Sequence, residues 1–330
     1  MRAVVLAGGG GTRLRPLTDT VPKPMVEFMG RPFVVGLMLR LAGAGIDHLD
    51  LLVGRRTDDF DALVAAGAQV GVTVAVHTEE RPLDTAGAAR RLLRGSGDRD
   101  VLVSNGDQLT DLDYADLVAR HRKTDAVATL TLARVADTSS FGVIEVAADG
   151  AVHAFIEKPP PGTTDADTVN AGTYVLDAVA FDPFPGDGPL SFERDVFPGL
   201  LADGTLVRGE PYDVHWQDLG TPQRFREGCA AVLTGRCAWP LPESLIVGDG
   251  MAVDTTARVD PSVALSGPTV VGAGVTVGAG ARLHGTVVMH GASVGAGATV
   301  IDGIVGPGAD VDAGASVGPD AVIVAGPASQ

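Results

Sequence analysis

Apolar positions in residues 1–135 switch between two periods. Val4–Ala7, Leu49–Val53, Val70–Val76, Val101–Val103 and Val127–Leu132 are short apolar runs that read as buried strands. Between them, Pro32–Gly45, Asp58–Ala66, Thr85–Arg94 and Leu112–Arg122 carry apolar residues at helical spacing. The first of these sets Phe33, Leu37, Leu41 and Ala44 on one face and runs into Gly43 and Gly45, a glycine stop. This β-α-β-α alternation predicts an α/β fold with a mixed, mostly parallel sheet covered on both faces, Rossmann-like in its layering. Ligands of such sheets gather beyond the carboxyl ends of the strands. Three segments fall there: the loop after Ala7, Glu79–Gly87, and Asn105–Asp107.

Further along, Gly142–Val146 and Val152–Ile156 flank Asp149-Gly150, which predicts a hairpin. Thr173–Leu176 reads as a strand, and Phe192–Leu201 as a helix capped by Ser191 with Glu193 and Asp195 in its first turns. Thr221–Leu233 is the last helix of this part, capped by Thr221 with Pro222 at its first position. Pro240 and Pro242 mark a change of texture, so the expected domains are 1–238 and 239–330. Val253, Val259, Leu265, Val271, Val277 and Leu283 recur at intervals of six. The register slips by one and continues through Val288, Val294 and Val300, then slips again to Val305, Val311, Val317 and Ile323. A six-residue apolar repeat rich in Gly and Ala predicts a parallel β-helix, with the slips as small loops at its corners.

Charge narrows the function. The net charge of −16 argues against nucleic acid or an anionic membrane as partner, so an anionic substrate needs a local cluster of cations. No apolar run reaches the roughly 18 residues of a membrane span. Entry straight into a strand is expected of a chain without a signal peptide. The two cysteines, Cys229 and Cys237, lack partners at zinc spacing and read as reduced thiols of a cytoplasmic protein.

The chemistry concentrates in Leu6-Ala7-Gly8-Gly9-Gly10-Gly11-Thr12-Arg13-Leu14-Arg15-Pro16, followed by Pro22-Lys23-Pro24-Met25. Glycines after a strand let backbone N–H groups approach an anion with no Cβ in the way. Arg13 offers a planar fork of donors and Lys23 a mobile point charge. The stretch has no Gly-Lys pair and is not a Walker loop, and no frame of it satisfies G-x-G-x-x-G. It reads as a cradle for a polyphosphate.

This string, L-A-G-G-x-G-T-R-L-x-P-L-T-x-x-x-P-K-P-M, resembles the signature of the sugar-1-phosphate nucleotidylyltransferases. The resemblance implies a nucleotidyltransferase (GT-A-like) sheet domain, and for the C-terminal repeat a left-handed hexapeptide β-helix that serves homo-oligomer assembly. It implies in-line attack of a sugar-1-phosphate on the α-phosphorus of an NTP, with Mg²⁺ and no covalent intermediate. The nucleotide would be held by Leu6, Ala7, Gly8, Gly9, Gly10, Gly11, Thr12, Arg13, Glu79, Glu80, Gly87, Asn105 and Gly106, with Arg13, Lys23 and Lys158 in catalytic roles. Asp107, after a buried strand, and Asp218, in Trp216-Gln217-Asp218-Leu219-Gly220, resemble the family's two metal-binding aspartates. Glu157-Lys158-Pro159, Asn170-Ala171-Gly172 and Phe141-Gly142-Val143 resemble its sugar-phosphate segments, which assigns Gly142, Glu157, Lys158, Asn170 and Gly172 to the acceptor.

Glu79-Glu80-Arg81-Pro82-Leu83-Asp84-Thr85-Ala86-Gly87 resembles the E-x-x-P-L-G-T-A-G string of mannose-1-phosphate guanylyltransferases, with Asp84 standing where that string has Gly. A carboxylate suits guanine, whose N1–H and 2-amino group form a paired donor edge, so GTP and mannose-1-phosphate are the expected substrates. Ser191-Phe192-Glu193-Arg194-Asp195 is guanylyltransferase-like too, though its carboxylates suit a helix start equally well. Other bases or acceptors stay open: ATP, dTTP or UTP, and a glucose, heptose or cyclitol phosphate. So do acyl transfer on the coil, with His284 and His290 as candidates, and an inactive regulatory homologue.

Overall fold

The computed structural model describes all residues except 20, 55–59, 136, 140, 161, 162, 165 and 327–330. The expected helix start at Asp58 and the last four residues of the expected C-terminal domain therefore lie outside the described residues. In chain order the elements are β1 (Arg2–Ala7), β2 (Glu27–Phe28), β3 (Arg31–Pro32), α1 (Phe33–Gly43), β4 (His48–Val53), α2 (Asp61–Gln69), β5 (Thr73–Thr78), α3 (Asp84–Leu93), β6 (Val101–Asn105), β7 (Gln108–Thr110), α4 (Tyr114–His121) and β8 (Ala128–Arg134). There follow β9 (Gly142–Val146), β10 (Val152–Glu157), β11 (Thr168–Leu176), α5 (Phe197–Ala202), β12 (Val207–Pro211), β13 (Trp216–Asp218), α6 (Pro222–Leu233) and β14 (Leu245–Gly248), then the coil strands. By packing, Met1–Gly9, Met38–Gly106 and Leu112–Trp216 form one compact unit. Gly10–Leu37, Asp107–Asp111 and Gln217–Gln330 form another.

The first unit is built on a nine-stranded sheet, ordered β10-β9-β11-β6-β1-β4-β5, with β8 joining β11 to β12. β1, β4, β5 and β6 run parallel, as do β8 and β12. The inner parallel strands are apolar on both faces: Val4, Val5, Leu51, Leu102 and Val103 are wholly buried. β11 is antiparallel to β6 and β8, and β9–β10 is the predicted hairpin, with Gly150 at φ +87° in its turn. Tyr174, Phe192 and Phe197 pack their rings 5.0–5.5 Å apart in the main core.

Several boundaries differ from the periodicity. β5 begins at Thr73 because Val70 and Gly71, the latter at φ +76°, end α2. β11 begins at Thr168 rather than Thr173, since a register shift between Asn170 and Tyr174 interrupts the alternation. The expected helix Phe192–Leu201 is two pieces, a π turn Phe192–Val196 and α5. Ser191 caps the first piece, its side chain accepting from the N–H groups of Glu193 and Arg194. β12 was hidden in Val-Arg-Gly-Glu-Pro, where Gly209 leaves room for Val146 and Leu132, within 2.8 Å of where a Cβ would stand. No helix among the described residues is long and apolar enough to cross a membrane.

The second unit contains the coil. Met251–Asp254, Val270–Val271, Val287–Val288, Ile304–Val305 and Val322–Ile323 stack as one parallel sheet, with β14 antiparallel at its edge. Arg258–Val259, Thr276–Val277, Ser293–Val294 and Asp310–Val311 form a second sheet, and Ala264–Ser266, Arg282–His284, Thr299–Ile301 and Ser316–Val317 a third. Each strand points one repeat position inward, and Val271, Val277, Leu283, Val288, Val294, Val300 and Val305 are all buried together. This is a parallel β-helix. The slips are corners, but shortened ones rather than added loops. Three residues, 267–269, turn the chain from Ser266 to Val270, whereas only Gly285 and Thr286 lie between His284 and Val287.

Side chains from the N-terminal segment and α6 lock onto one another and onto this coil. Phe33 stacks on Trp239 at 4.9 Å, Phe28 meets Phe225 edge-on at 5.4 Å, and a Cβ on Gly36 would stand 2.5 Å from the Trp239 ring. Arg226 of α6 pairs with Asp302 (3.1 Å) and Asp320 (2.6 Å) at coil corners. Glu27 of β2 accepts from the His290 N–H at 3.1 Å and pairs with the His290 ring. Gly272 leaves room for that carboxylate, since a Cβ there would stand 2.9 Å from it.

The Glu27 hydrogen bond raises the His290 pKa above its usual value, outweighing the opposing effect of burial. Its stabilisation is therefore full below the unfolded value of about 6.5 and is lost as pH rises through the higher folded value. Thermal unfolding across pH 5–9 should show His290→Gln below wild type at the acid end, with the gap closing toward alkaline pH. A gap that is constant or widens with pH would contradict this linkage.

Candidate active site

Two carboxylates and three cations meet in the second unit. Gly11, at φ +59°, turns the glycine loop, and a Cβ there would meet Thr18 and Lys23 at 3.0 and 3.1 Å. Thr18 closes the turn by donating to the Gly11 carbonyl at 2.8 Å. Thr12 and Arg13 follow in one 3₁₀ turn, and Lys23 opens another after Pro22. Asp107 immediately precedes β7 and Asp218 ends β13; these strands pair, and the Leu219 N–H donates to the Asp107 carbonyl at 3.1 Å. The Lys23 ammonium lies 2.5 Å from Asp107 Oδ2 and 3.6 Å from Asp218 Oδ1. Arg13 donates to Asp218 Oδ2 at 3.3 Å, and Arg224 stands 3.8 Å from the same oxygen. A Cβ on Gly220 would fall 2.6 Å from Asp218 and 2.8 Å from Arg13, so the glycine of the W-x-D-x-G string lets guanidinium and carboxylate approach. This is the local cationic cluster that a chain of net charge −16 needs for an anionic substrate.

The pair also fits a divalent cation. Asp218 Oδ1 is buried without a hydrogen-bond partner, an oxygen donor of the kind Mg²⁺ takes. The described residues hold one group of three metal-type side chains, Asp100, His121 and Asp177, and it is elsewhere. It lies at the opposite end of β6 from Asn105. Its carboxylates already accept from Arg122 (2.7 Å), Arg99 (3.2 Å) and the Asp100 N–H (3.1 Å), and burial lowers the His121 pKa, favouring the neutral ring. These contacts make it a compensated ionic cluster of the fold.

In the first unit, Leu6 and Ala7 end β1, Asn105 pairs with Leu6, and the Gly106 N–H donates to the Leu6 carbonyl at 2.8 Å. A Cβ on Gly106 would stand 3.0 Å from that carbonyl, so glycine lets the two strand ends close up. Beside them, Glu79 Oε1 lies 3.4 Å from where a Cβ on Gly8 would be, while Glu79 Oε2 accepts from the Leu83 N–H at 3.0 Å. Gly9 and Gly10 have wider surroundings, and Glu80 is exposed. Asp84 has φ +63°, so it keeps the left-handed backbone that a glycine would supply, which aspartate tolerates. Its carboxylate holds that shape by accepting from the Thr85 N–H (2.8 Å) and pairing with Arg194. Gly87 serves packing: its N–H donates to the Leu190 carbonyl at 3.0 Å, and a Cβ would stand 2.9 Å from Leu83. Glu193 accepts from Thr85 and Ser191, both at 2.8 Å, and Asp195 from the Ser191 N–H at 2.8 Å. Asp195 thus bonds at the helix start, while Glu193 ties two hydroxyls together.

The acceptor segments also belong to the first unit. Register pairs Gly142 with Glu157 and Val143 with Val169, which brings three strand ends together. Lys158 has φ +46°, a strained backbone for a lysine, and its exposed ammonium is 3.1 Å from Glu157 Oε1. Asn170 donates to the Tyr174 hydroxyl at 2.7 Å and accepts from the Gly172 N–H at 2.9 Å, which fixes the bulge of β11. Trp216 donates to the Ala171 carbonyl at 2.9 Å and meets Phe141 edge-on at 5.3 Å. Two residues went unmarked in the sequence: Arg224, whose signal is its place three residues after the cap Thr221, and Thr85, which ties Glu193 to α3. His290 is held by Glu27, and His284 Nδ1 lies 3.1 Å from Ser266 Oγ.

A glycine loop at the end of a parallel strand, with cations gathered on a carboxylate pair, defines an α/β enzyme that handles phosphates. The chain belongs to the nucleotidyl transferase family, which matches residues 2–235, and residues 247–327 match the GMPPB C-terminal domain. A mannose-1-phosphate guanylyltransferase of Mycobacterium tuberculosis is 39% identical over 290 residues, covering 86% of this chain and 79% of that one. The mannose-1-phosphate guanylyltransferase catalytic subunit beta of Xenopus tropicalis is 32% identical over 274 residues, covering 78% and 73%. The crystal structure of HddC from Yersinia pseudotuberculosis complexed with GMP-PN aligns with a TM-score of 0.58 at 28% identity, over 69% of this chain and 97% of that one. A putative glucose-1-phosphate thymidylyltransferase from Bacillus anthracis shares the fold, with a TM-score of 0.61 at 21% identity over 69% and 93%.

Lys23 competes with any cation for the oxygens of Asp107 and Asp218. Calorimetric titration of the nucleotide-free protein with Mn²⁺ should show Lys23→Met binding at least about tenfold more tightly than wild type, since one charge in contact with the ligand oxygens is gone. Equal or weaker binding would show that Lys23 does not shield the pair.

Proposed function

We propose that this enzyme transfers the guanylyl group of GTP to a sugar-1-phosphate, with mannose-1-phosphate as the acceptor. An acceptor phosphate oxygen attacks the α-phosphorus in line, the bond to the β-phosphate breaks, and pyrophosphate leaves. The observation that carries this reading is the meeting of Lys23 and Arg13 on Asp107 and Asp218. The relatives named above, and the GMP-PN complex of HddC, support a guanine nucleotide. Catalysis here is positioning plus charge stabilisation. Amides of Gly8, Gly9, Gly10 and Gly11, with Arg13, hold the leaving phosphates, and Lys23 leaves the carboxylates for the transferring one. Asp107 and Asp218 would hold Mg²⁺, which when bound supplies charge neutralisation. Glu79 sits beside the start of the glycine loop and accepts from the N1–H and 2-amino group of guanine. Lys158 fixes the attacking phosphate, with Glu157 and Asn170 toward the sugar. Cys229 and Cys237, both buried and not joined in a disulfide, fit a reducing compartment, and we assign the enzyme to the cytoplasm. Self-association through the coil is supported by β14, an edge strand with Ile246 58% and Val247 43% exposed.

Pyrophosphate release with Mg²⁺, measured for GTP, ATP, dTTP, UTP and CTP against a panel of sugar-1-phosphates, tests the assignment. Turnover should require GTP and be best with mannose-1-phosphate; preference for another base would refute the role given to Glu79. Lys158→Ala should lose at least about a hundredfold in turnover, the scale of removing one preorganised stabiliser. Unchanged turnover would remove Lys158 from the mechanism.

A further inference from the structure

The second unit encloses a cavity of about 350 Å³ that the nucleotidyl transfer does not use. Leu17 and Met25 wall it on the side of the N-terminal segment, and Met289, Pro307 and Val324 on the side of the coil. Its walls are mostly apolar. Two of its polar lining residues, Glu27 and His290, are paired with each other. The third is Arg31, which sits in the two-residue strand β3. The side chain is half-buried, its Nε is shut away from solvent without a hydrogen-bond partner, and burial lowers its pKa, with no carboxylate of the described residues acting against that shift. A cavity of this size falls at the lower end of small-molecule sites, which combine apolar walls with a few placed polar groups.

We propose that this cavity is a binding site for a small effector with a flat apolar body and a single anionic group, the anion meeting Arg31. Glu27 is taken by His290, whereas no carboxylate of the described residues pairs with the half-buried Arg31, so the guanidinium is the group along this apolar wall that an anion can meet. Occupancy has a direct route to the chemistry. Met25 belongs to the same 3₁₀ turn as Lys23, and Val21, another wall residue, stands two positions before it. A ligand packed under this turn fixes where Lys23 stands, so effector and nucleotide affinities are linked by one coupling free energy. The coupling rests on the role proposed for Lys23; the binding site does not.

The probe is 8-anilinonaphthalene-1-sulfonate, an aromatic monoanion, titrated by fluorescence into the full chain. One saturable site is expected, with Arg31→Met weakening it at least about tenfold, the scale of a lost charge-assisted hydrogen bond. Arg31→Lys should recover part of that loss, and Met289→Trp should abolish binding by filling the cavity. The neutral analogue N-phenyl-1-naphthylamine should bind at least about tenfold less well, for the same lost charge. Saturating GTP should shift the probe affinity to a plateau. Displacement without limit would place the probe in the nucleotide site and overturn the proposal. No saturable binding, binding indifferent to Arg31→Met, or equal affinity for the neutral analogue would overturn it as well. A plateau of zero shift with all variant effects intact would remove the coupling to Lys23 and leave the binding site standing.

Discussion

The site depends on one ammonium held by two carboxylates. Lys23 touches Asp107 at 2.5 Å and approaches Asp218 at 3.6 Å, and the three residues come from segments far apart in sequence. Each carboxylate repels the other and both attract cations, and in this structure Lys23, Arg13 and Arg224 compensate the pair. The backbone makes the same junction independently, through the pairing of β7 with β13 and the Leu219–Asp107 hydrogen bond. Glycines at 11 and 220 supply the space; any side chain there would press on Lys23 or Asp218. In the proposed reaction these oxygens and cations meet the metal and the phosphates, so substrates would have to rearrange the same interaction that orders the site.

The coil belongs to this story as a brace. Glu27 follows Lys23 by four residues and ends on His290 and Gly272 of the coil. Arg226, on the helix that follows Asp218, ends on Asp302 and Asp320. Both segments that carry the charged groups are thus tied to a stack whose core takes an inward residue from the strands and further apolar residues, such as Val275, Ala281 and Ala298, from the turns. Such a post supplies little chemistry, but it limits the conformations open to Lys23 and Asp218, and preorganisation is most of what this kind of catalysis requires.

Periodicity made much of this legible. Val253 through Ile323 recur in the sequence at the spacing of the coil strands, and the family resemblance singles out Arg13, Lys23, Asp107 and Asp218, whose side chains lie together in the structure. The slips at Val288 and Val305 fall at corners, as the spacing suggests, and the structure adds that these corners are short, two residues each. β12 and the first half of β11 escaped because Gly209 and the Asn170–Gly172 bulge break the alternation that marks a strand. Asp84 departs from the Gly of the resembling string, and its φ of +63° is a left-handed backbone that glycine adopts freely, which the residue letter alone does not reveal. The grip of Lys23 on both aspartates, the tie of Glu193 to Thr85, and the orphaned Nε of Arg31 are tertiary facts, and no local pattern carries them.

The most direct test of the account is a double-mutant cycle on Asp107 and Asp218, read as turnover with Mg²⁺ and the preferred substrate pair. Asp107→Asn and Asp218→Asn should each lose at least about a hundredfold. The double variant should be little worse than the poorer single one, because the two carboxylates act as one unit. Losses that multiply independently, or a single variant with near-normal turnover, would contradict the claim that this pair and its shared lysine form the working centre of the enzyme.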